Sequence, residues 1–151
     1  DGPSGLPTGP TAPTAPTGPA SPTEQVDGGQ WSQRTPLLEA NSELAVAELN
    51  GKLYLLGGYP ANRQTARTVQ VYDIASSTWQ LGPPLPQPNN HGMAAGVNGR
   101  IYLIGGQTMA DAPAYVDTVY ELDPSKGAWV EKARMPTARS SGVAPPARAG
   151  R

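Results

Sequence analysis

The stretch Asn50-Gly51-Lys52-Leu53-Tyr54-Leu55-Leu56-Gly57-Gly58 returns 48 residues later as Asn98-Gly99-Arg100-Ile101-Tyr102-Leu103-Ile104-Gly105-Gly106. Trp31, Trp79 and Trp129 follow the same rhythm at spacings of 48 and 50. A chain that repeats itself at this period is built from like supersecondary units, each burying an apolar face against its neighbour. The period suits stacked four-stranded units, and most other architectures are excluded before a single element is assigned.

Within each unit the order of elements is legible. Residues 44–49 and 92–97 are short and rich in small residues, and each runs into Asn-Gly followed by a basic residue. Asn-Gly between two apolar runs predicts a tight hairpin, because both central residues of a type I′ turn need positive φ. The second arms, residues 52–56 and 100–104, are apolar nearly throughout, which predicts burial on both faces. Gly57-Gly58 and Gly105-Gly106 then permit close backbone approach or an irregular exit from the strand. A third strand follows a variable loop: Val69-Gln70-Val71-Tyr72-Asp73, matched by Val119-Tyr120-Glu121-Leu122-Asp123. Asp73 and Asp123 begin turns, where a carboxylate caps local backbone donors, and Pro124 suits the second turn position. Trp79 and Trp129 open a fourth, outermost strand, and a Pro-rich crossing (Pro83, Pro84, Pro86, Pro88) leads onward.

Four antiparallel strands in a unit of about 50 residues describe a propeller blade. The order apolar hairpin, Gly-Gly, Val-x-x-Tyr/Leu-Asp, then Trp six residues after that Asp resembles the kelch repeat over residues 31–144. The expected fold is therefore all-β: a partial kelch-type β-propeller with two four-stranded antiparallel blades plus single strands of flanking blades, marked by Trp31 on one side and residues 139–144 on the other. Leu122 departs from the family's tyrosine, present as Tyr72, and should alter outer-strand packing without changing the fold. Tyr54, Tyr102, Trp79 and Trp129 are expected in the core, and Trp79→Ala or Trp129→Ala should each cost about 3 to 5 kcal/mol if fully buried.

Composition divides the chain. Residues 1–30 hold no aromatic residue and no basic one, and prolines at 7, 10, 13, 16, 19 and 22 give a three-residue period. That is the repeat of a polyproline II helix, an extended spacer in which neither a helix nor an inner strand can propagate. A collagen-like reading fails at Ala12, Ala15 and Ser21, which stand where a triple helix admits only glycine. Thr8, Thr11, Thr14, Thr17 and Thr23 would suit O-glycosylation, from which an extracellular or cell-surface location is expected. Residues 145–151 read as a flexible tail.

Net charge is −1, and beyond residue 30 the 11 basic residues face nine of the 12 acidic ones, too even a balance for a nucleic-acid footprint. With no cysteine, disulfides, thiolate metal sites and thiol nucleophiles are ruled out. No run of about 18 apolar residues is present, so no membrane insertion is expected. Asp1 in place of Met suggests processing or an excised piece. Two complete blades fall short of the four to eight that close a ring. The expected explanations are a segment of a longer kelch protein, self-association of copies to complete a ring, or a small open sandwich.

His91 is the single histidine. It stands just before an innermost strand, at the position shared by Glu43 and Ser141. In peptide-binding kelch propellers this position supplies ligand contacts, as do residues just after Gly-Gly, here Tyr59 and Gln107. The resemblance thus implies ligand-binding roles for Glu43, Tyr59, His91, Gln107 and Ser141, with Gly57, Gly58, Tyr72, Asp73, Trp79, Gly105, Gly106, Asp123 and Trp129 as structural repeat positions. Arg63, Arg67, Asp111 and Asp117 read as solvated loop charges. No catalytic residue, metal or cofactor is assigned. The expected function is a non-catalytic interaction module for a protein, peptide or glycan. The alternative is a kelch-type sugar enzyme. Copper-radical oxidase chemistry is disfavoured without cysteine and with one histidine, whereas a sialic-acid mutarotase-like activity needs only acid–base groups such as Glu43 and His91.

Overall fold

A computed structural model describes residues 29–108 and 114–144. The chain forms two units, Asp1–Ser32 and Gln33–Arg151. The expected proline-rich spacer lies almost wholly outside the described residues, as do Asp111 and the 145–151 tail.

The strands run in chain order as β1 (Asn41–Ser42), β2 (Ala45–Leu49), β3 (Lys52–Leu56), β4 (Tyr59–Pro60), β5 (Val69–Asp73), β6 (Thr78–Leu81), β7 (Met93–Val97), β8 (Arg100–Ile104), β9 (Val119–Asp123) and β10 (Ala128–Glu131). No helix occurs among the described residues. Two four-stranded antiparallel sheets, β2-β3-β5-β6 and β7-β8-β9-β10, are the two blades, each a meander from innermost to outermost strand. The Asn-Gly turns join the inner pairs with Leu49 facing Lys52 and Val97 facing Arg100. All four turn residues have positive φ: 53° and 74° at Asn50 and Gly51, 49° and 76° at Asn98 and Gly99. This backbone is what the right-handed twist of a two-residue hairpin demands.

The core lies between the blades. The first contributes Ala45, Ala47, Leu49, Tyr54, Leu56, Val69 and Val71; the second contributes Ile101, Leu103, Tyr120 and Leu122. Gly96 lets the two innermost strands meet, since a Cβ there would lie 2.0 Å from the Glu48 carbonyl oxygen. Leu85, from the crossing between blades, is fully buried in the same cluster.

Three particulars differ from the sequence expectation. First, residues 29–39 and 139–144 carry no strand, and Trp31 is fully exposed. A strand persists only where a neighbouring ladder satisfies its backbone, and these segments are held by isolated contacts instead. Second, Trp79 and Trp129 are half-buried rather than fully enclosed, with Trp129 packed against the edge of the core. They lie on outermost strands, and each indole Nε1–H donates to a crossing segment, Trp79 to the Thr35 carbonyl at 3.0 Å and Trp129 to the Pro83 carbonyl at 3.0 Å. Third, Tyr54 is buried but Tyr102 is half-buried, with its hydroxyl donating to Glu121 Oε2 at 2.6 Å. At Leu122 the packing changes as expected: Tyr72 stacks on Trp79 with centroids 4.7 Å apart, whereas Trp129 lies across from an aliphatic Leu122.

Candidate functional site

A meander places its connections alternately at two ends. The Asn-Gly turns and the Asp73 and Asp123 turns share one end; the Gly-Gly loops and the Pro-rich crossings share the other, called here the upper end. The five candidate residues all belong to the upper end.

The upper end is organised by a repeated backbone device. Glu43, His91 and Ser141 share a left-handed conformation, with φ of 54°, 50° and 57°. The His91 amide donates to the Glu43 carbonyl at 2.9 Å, and the Ser141 amide donates to the His91 carbonyl at 2.8 Å. Three successive units are thus tied at their inner rim by main chain alone. A non-glycine residue at positive φ is uncommon and strained, so three in register mark a shape held by its surroundings rather than by local preference.

Two asparagines lock the loops beneath this rim. Asn41 Nδ2 donates to the Gly57 carbonyl at 2.7 Å, and Asn89 Nδ2 donates to the Gly105 carbonyl at 2.8 Å. Both Oδ1 atoms are buried without a hydrogen-bond partner. A Cβ on Gly58 or Gly106 would come within 2.5 Å of those oxygens. Gly57 and Gly105 meet the next unit instead: their Cβ positions would fall 2.1 Å from the Asn89 carbonyl oxygen and 2.3 Å from that of Arg139. One glycine of each pair therefore admits its own unit's asparagine, and the other admits the following crossing.

On this scaffold the candidate side chains are set as follows. His91 Nδ1 lies 2.9 Å from Asn90 Oδ1 and 3.5 Å from Glu43 Oε2. In the tautomer that carries its proton on Nδ1, this nitrogen donates to the Asn90 oxygen. Asn90 Nδ2 donates to Thr65 Oγ1 at 2.8 Å, so a polar row crosses from the first unit's rim to its Gly-Gly loop. Tyr59 pairs with Ser42 between β1 and β4, and Gln107 pairs in the same manner with Asn90. The Gln107 side chain donates to Ser140 Oγ at 3.3 Å. Beside Tyr59 lies a cleft of about 390 Å³ lined in part by Asn41, Ser42, Pro60 and Arg63, with the Arg63 guanidinium 5.9 Å from the Tyr59 ring centre. Glu43 and Ser141 are exposed, and Tyr59, His91 and Gln107 are half-exposed. The structure brings Glu43 and His91 into contact, places Ser141 one backbone bond further on, and sets Tyr59 and Gln107 in matching outer positions.

Two of the loop charges are engaged rather than simply solvated. Arg67 Nε donates to the Leu85 carbonyl at 2.6 Å, and Asp117 pairs with Arg134 at 3.0 Å. Sequence reasoning also missed Asn41, Asn89, Asn90 and the exposed Tyr115. Asn41 and Asn89 carried a usable signal, the 48-residue register itself; Tyr115 lies in a connection that differs between copies, so no repeat could reveal it.

The lower end is electrostatically different. Asp73 Oδ1 accepts from the Ser76 amide at 3.0 Å while its other oxygen pairs with Lys52, and the Lys52 hydrogen bond holds the carboxyl down to about 2. Asp123 accepts from the Ser125 hydroxyl at 2.6 Å, the main reason its carboxyl is also lowered, and pairs with Arg100 at 3.1 Å. These two carboxylates close turns and neutralise strand ends. Among the described residues no group of three or more histidines and carboxylates is placed to hold a metal ion, and no helix is long and apolar enough to cross a membrane.

The twin meanders, Gly-Gly loops and Asp-to-Trp strands define a class, and comparison with known families agrees. The model of the kelch motif matches residues 40–86 and 94–136, more than half of the chain. The chain belongs to the kelch-repeat family, whose repeats serve in protein–protein interaction. Among curated proteins it is similar to Kelch-like protein 36 of Bos taurus, 53% identical over 45 residues, which is 29% of this chain and 7% of that protein. The Rattus norvegicus and Mus musculus proteins of the same name are each 51% identical over 45 residues, again 7% of their length. The matched stretch thus spans a small part of each relative.

Proposed function

We propose that this kelch segment is a non-catalytic recognition module whose upper rim, built on Glu43, His91 and Ser141 and flanked by Tyr59 and Gln107, contacts a protein or peptide partner. One observation carries the reading. The rim is held by main-chain hydrogen bonds between left-handed residues, so three chemically unlike side chains occupy equivalent places on one backbone. A position whose backbone is structural and whose side chain the scaffold does not dictate is where binding specificity is written. The neighbouring cleft adds an aromatic face and a guanidinium, the residue types that anchor interfaces.

The experiment is selection of peptides from a displayed random library on the folded protein, followed by affinity measurement on variants. Glu43→Ala and His91→Ala should each weaken the selected peptides about tenfold or more, about 1.4 kcal/mol, with the melting temperature kept. Undiminished binding in both variants, or loss only on substitution at the lower end, would overturn the proposal.

The contact of His91 with Glu43 at 3.5 Å favours one second reading, proton transfer on a sugar by this pair. Saccharide anomerisation followed by NMR distinguishes the two, because only the enzyme accelerates exchange. As for self-association, we infer that copies do not extend the sheet stack as the two blades do. Glu48 holds the place of Gly96, and its Cβ would meet a carbonyl of the facing strand at the distance that only glycine tolerates.

A further inference from the structure

The two hairpin turns share a sequence and a backbone but differ in what surrounds the second residue's nitrogen. In the first blade the Gly51 amide donates to Glu48 Oε1 at 2.8 Å. In the second blade Gly96 stands at the place of Glu48, so no carboxylate can reach Gly99 from there. On that side Arg100 takes over: its Nη1 donates to the Gly99 carbonyl at 3.1 Å, and its Nη2 is held by Asp123 at 3.1 Å. Asn50 and Asn98 are both exposed, and nothing lies within 4 Å of a Cβ built on either glycine.

We propose that Asn98-Gly99 is a site of spontaneous covalent modification, deamidation through a succinimide, and that Glu48 protects the matching Asn50-Gly51 from the same reaction. The Gly99 nitrogen, once a solvent base takes its proton, attacks Asn98 Cγ. The N–Cγ bond forms, the Cγ–Nδ2 bond breaks, and the side-chain nitrogen leaves as ammonia. Water then opens the ring at either carbonyl, giving aspartate or the β-linked isomer at position 98. Nothing is oxidised or reduced, and water and base are the sole co-reactants.

The electrostatic argument concerns the nitrogen anion. A carboxylate in hydrogen-bond contact with an amide disfavours a second negative charge on that nitrogen, and a guanidinium one peptide unit away favours it. Lys52, paired with Asp73 as Arg100 is with Asp123, follows the first turn too, so the difference between the turns rests on the Glu48 carboxylate. The product matters structurally as well. The β-linked isomer inserts an extra backbone carbon into a two-residue turn, so Val97 no longer faces Arg100 and the register of β7 on β8 is lost. Because β7 begins just after His91, the damage falls on the strand that supports the recognition rim.

The test is to hold the folded full chain at mildly alkaline pH. Conversion at each position is followed by peptide mapping, with isoaspartate methyltransferase labelling to detect the β-linked product. Position 98 should convert about fivefold faster than position 50, the effect of one unit charge about 4 Å away at the dielectric of bulk water, as suits a fully solvated turn. Glu48→Gln should raise position 50 toward the rate of position 98. In urea the wild-type positions should become equal, because Leu49-Asn50-Gly51-Lys52 and Val97-Asn98-Gly99-Arg100 are chemically alike. The proposal is overturned if position 50 converts as fast as position 98 in the folded protein, if Glu48→Gln leaves the ratio unchanged, or if the ratio survives in urea.

Discussion

The first blade and the second have the same strands in the same register, yet they are not equally covered. In β3 the run Tyr54-Leu55-Leu56 is buried throughout, whereas in β8 only Ile101 and Leu103 are. Leu85 in the first crossing is fully buried, and Met135, pinned by the equivalent hydrogen bond, is half-exposed. The difference is positional: the first blade's inner face lies on the second blade, and the matching face of the second has no blade against it among the described residues. The side chains register this. Opposite Tyr54 stands Val71, while opposite Tyr102 stands Glu121, which takes the phenol's hydrogen bond and lies 3.5 Å from Lys132. Burial raises the Tyr54 phenol's pKa; for Tyr102 the main cause is the hydrogen bond to Glu121. The repeat dictates backbone, and the neighbour dictates what each equivalent position tolerates.

The sharpest way to break this comparison is to truncate matched core positions. Leu56→Ala should cost about 4 kcal/mol, because a fully enclosed side chain leaves a cavity, whereas Ile104→Ala at the equivalent place should cost about 1 to 2 kcal/mol because water fills the gap. Urea denaturation of both variants checks this, and equal losses would show that the second blade's face is covered in solution. Next comes Gly96→Ala. Its Cβ would strike the Glu48 carbonyl oxygen, which side-chain rotation cannot relieve, so a loss of about 3 kcal/mol is expected. Gly51→Ala, with open space around it but φ of 74°, should cost only about 1 kcal/mol.

How far the sequence could be read follows from the same division. Everything that repeats was legible: the Asn-Gly turns, the four strands of each blade, the Gly-Gly pairs, and the upper-end placement of Glu43, His91 and Ser141. What was not legible depends on what lies next to the repeat. Trp79 and Trp129 looked like core because aromatic residues at fixed spacing usually are, but an outermost strand offers cover on one side only. Trp31 stands in register with them and yet is exposed, since spacing alone cannot create a strand without a ladder to join. Asn41 and Asn89 were visible as a repeat, but their function as plugs beneath Gly58 and Gly106 emerges only from three-dimensional approach. The contact of His91 with Glu43 was likewise unreadable, because it joins two units through a left-handed backbone that non-glycine residues rarely adopt.

The tryptophans supply a further test. Half-buried rings with one hydrogen bond each should lose about 2 kcal/mol on Trp79→Ala or Trp129→Ala, below the figure for full burial. Tyr72→Leu, which gives the first blade the second blade's residue, should remove about 1 kcal/mol by ending the ring contact. If Tyr72→Leu is silent, the aromatic pair is incidental and the two outer strands are equivalent after all.

The smallest effect separates the two lower-end carboxylates. Both are held below the ordinary aspartate value, so each contributes stability that is present above the unfolded pKa and lost as pH falls through the folded one. For Asp73 the window runs from the ordinary aspartate value of 3.8 down to about 2. The principal causes differ, though: a lysine hydrogen bond in the first blade and a serine hydroxyl in the second. Lys52→Ala should therefore flatten the acid limb of a melting-temperature profile more than Arg100→Ala does, and Ser125→Ala should do for Asp123 what Lys52→Ala does for Asp73. Added salt should weaken the first effect more than the last, because screening acts on an ion pair and barely on a hydroxyl donor. Identical acid limbs for Lys52→Ala and Arg100→Ala would mean that the cation is interchangeable between blades, and that their lower ends, unlike their faces, do not differ.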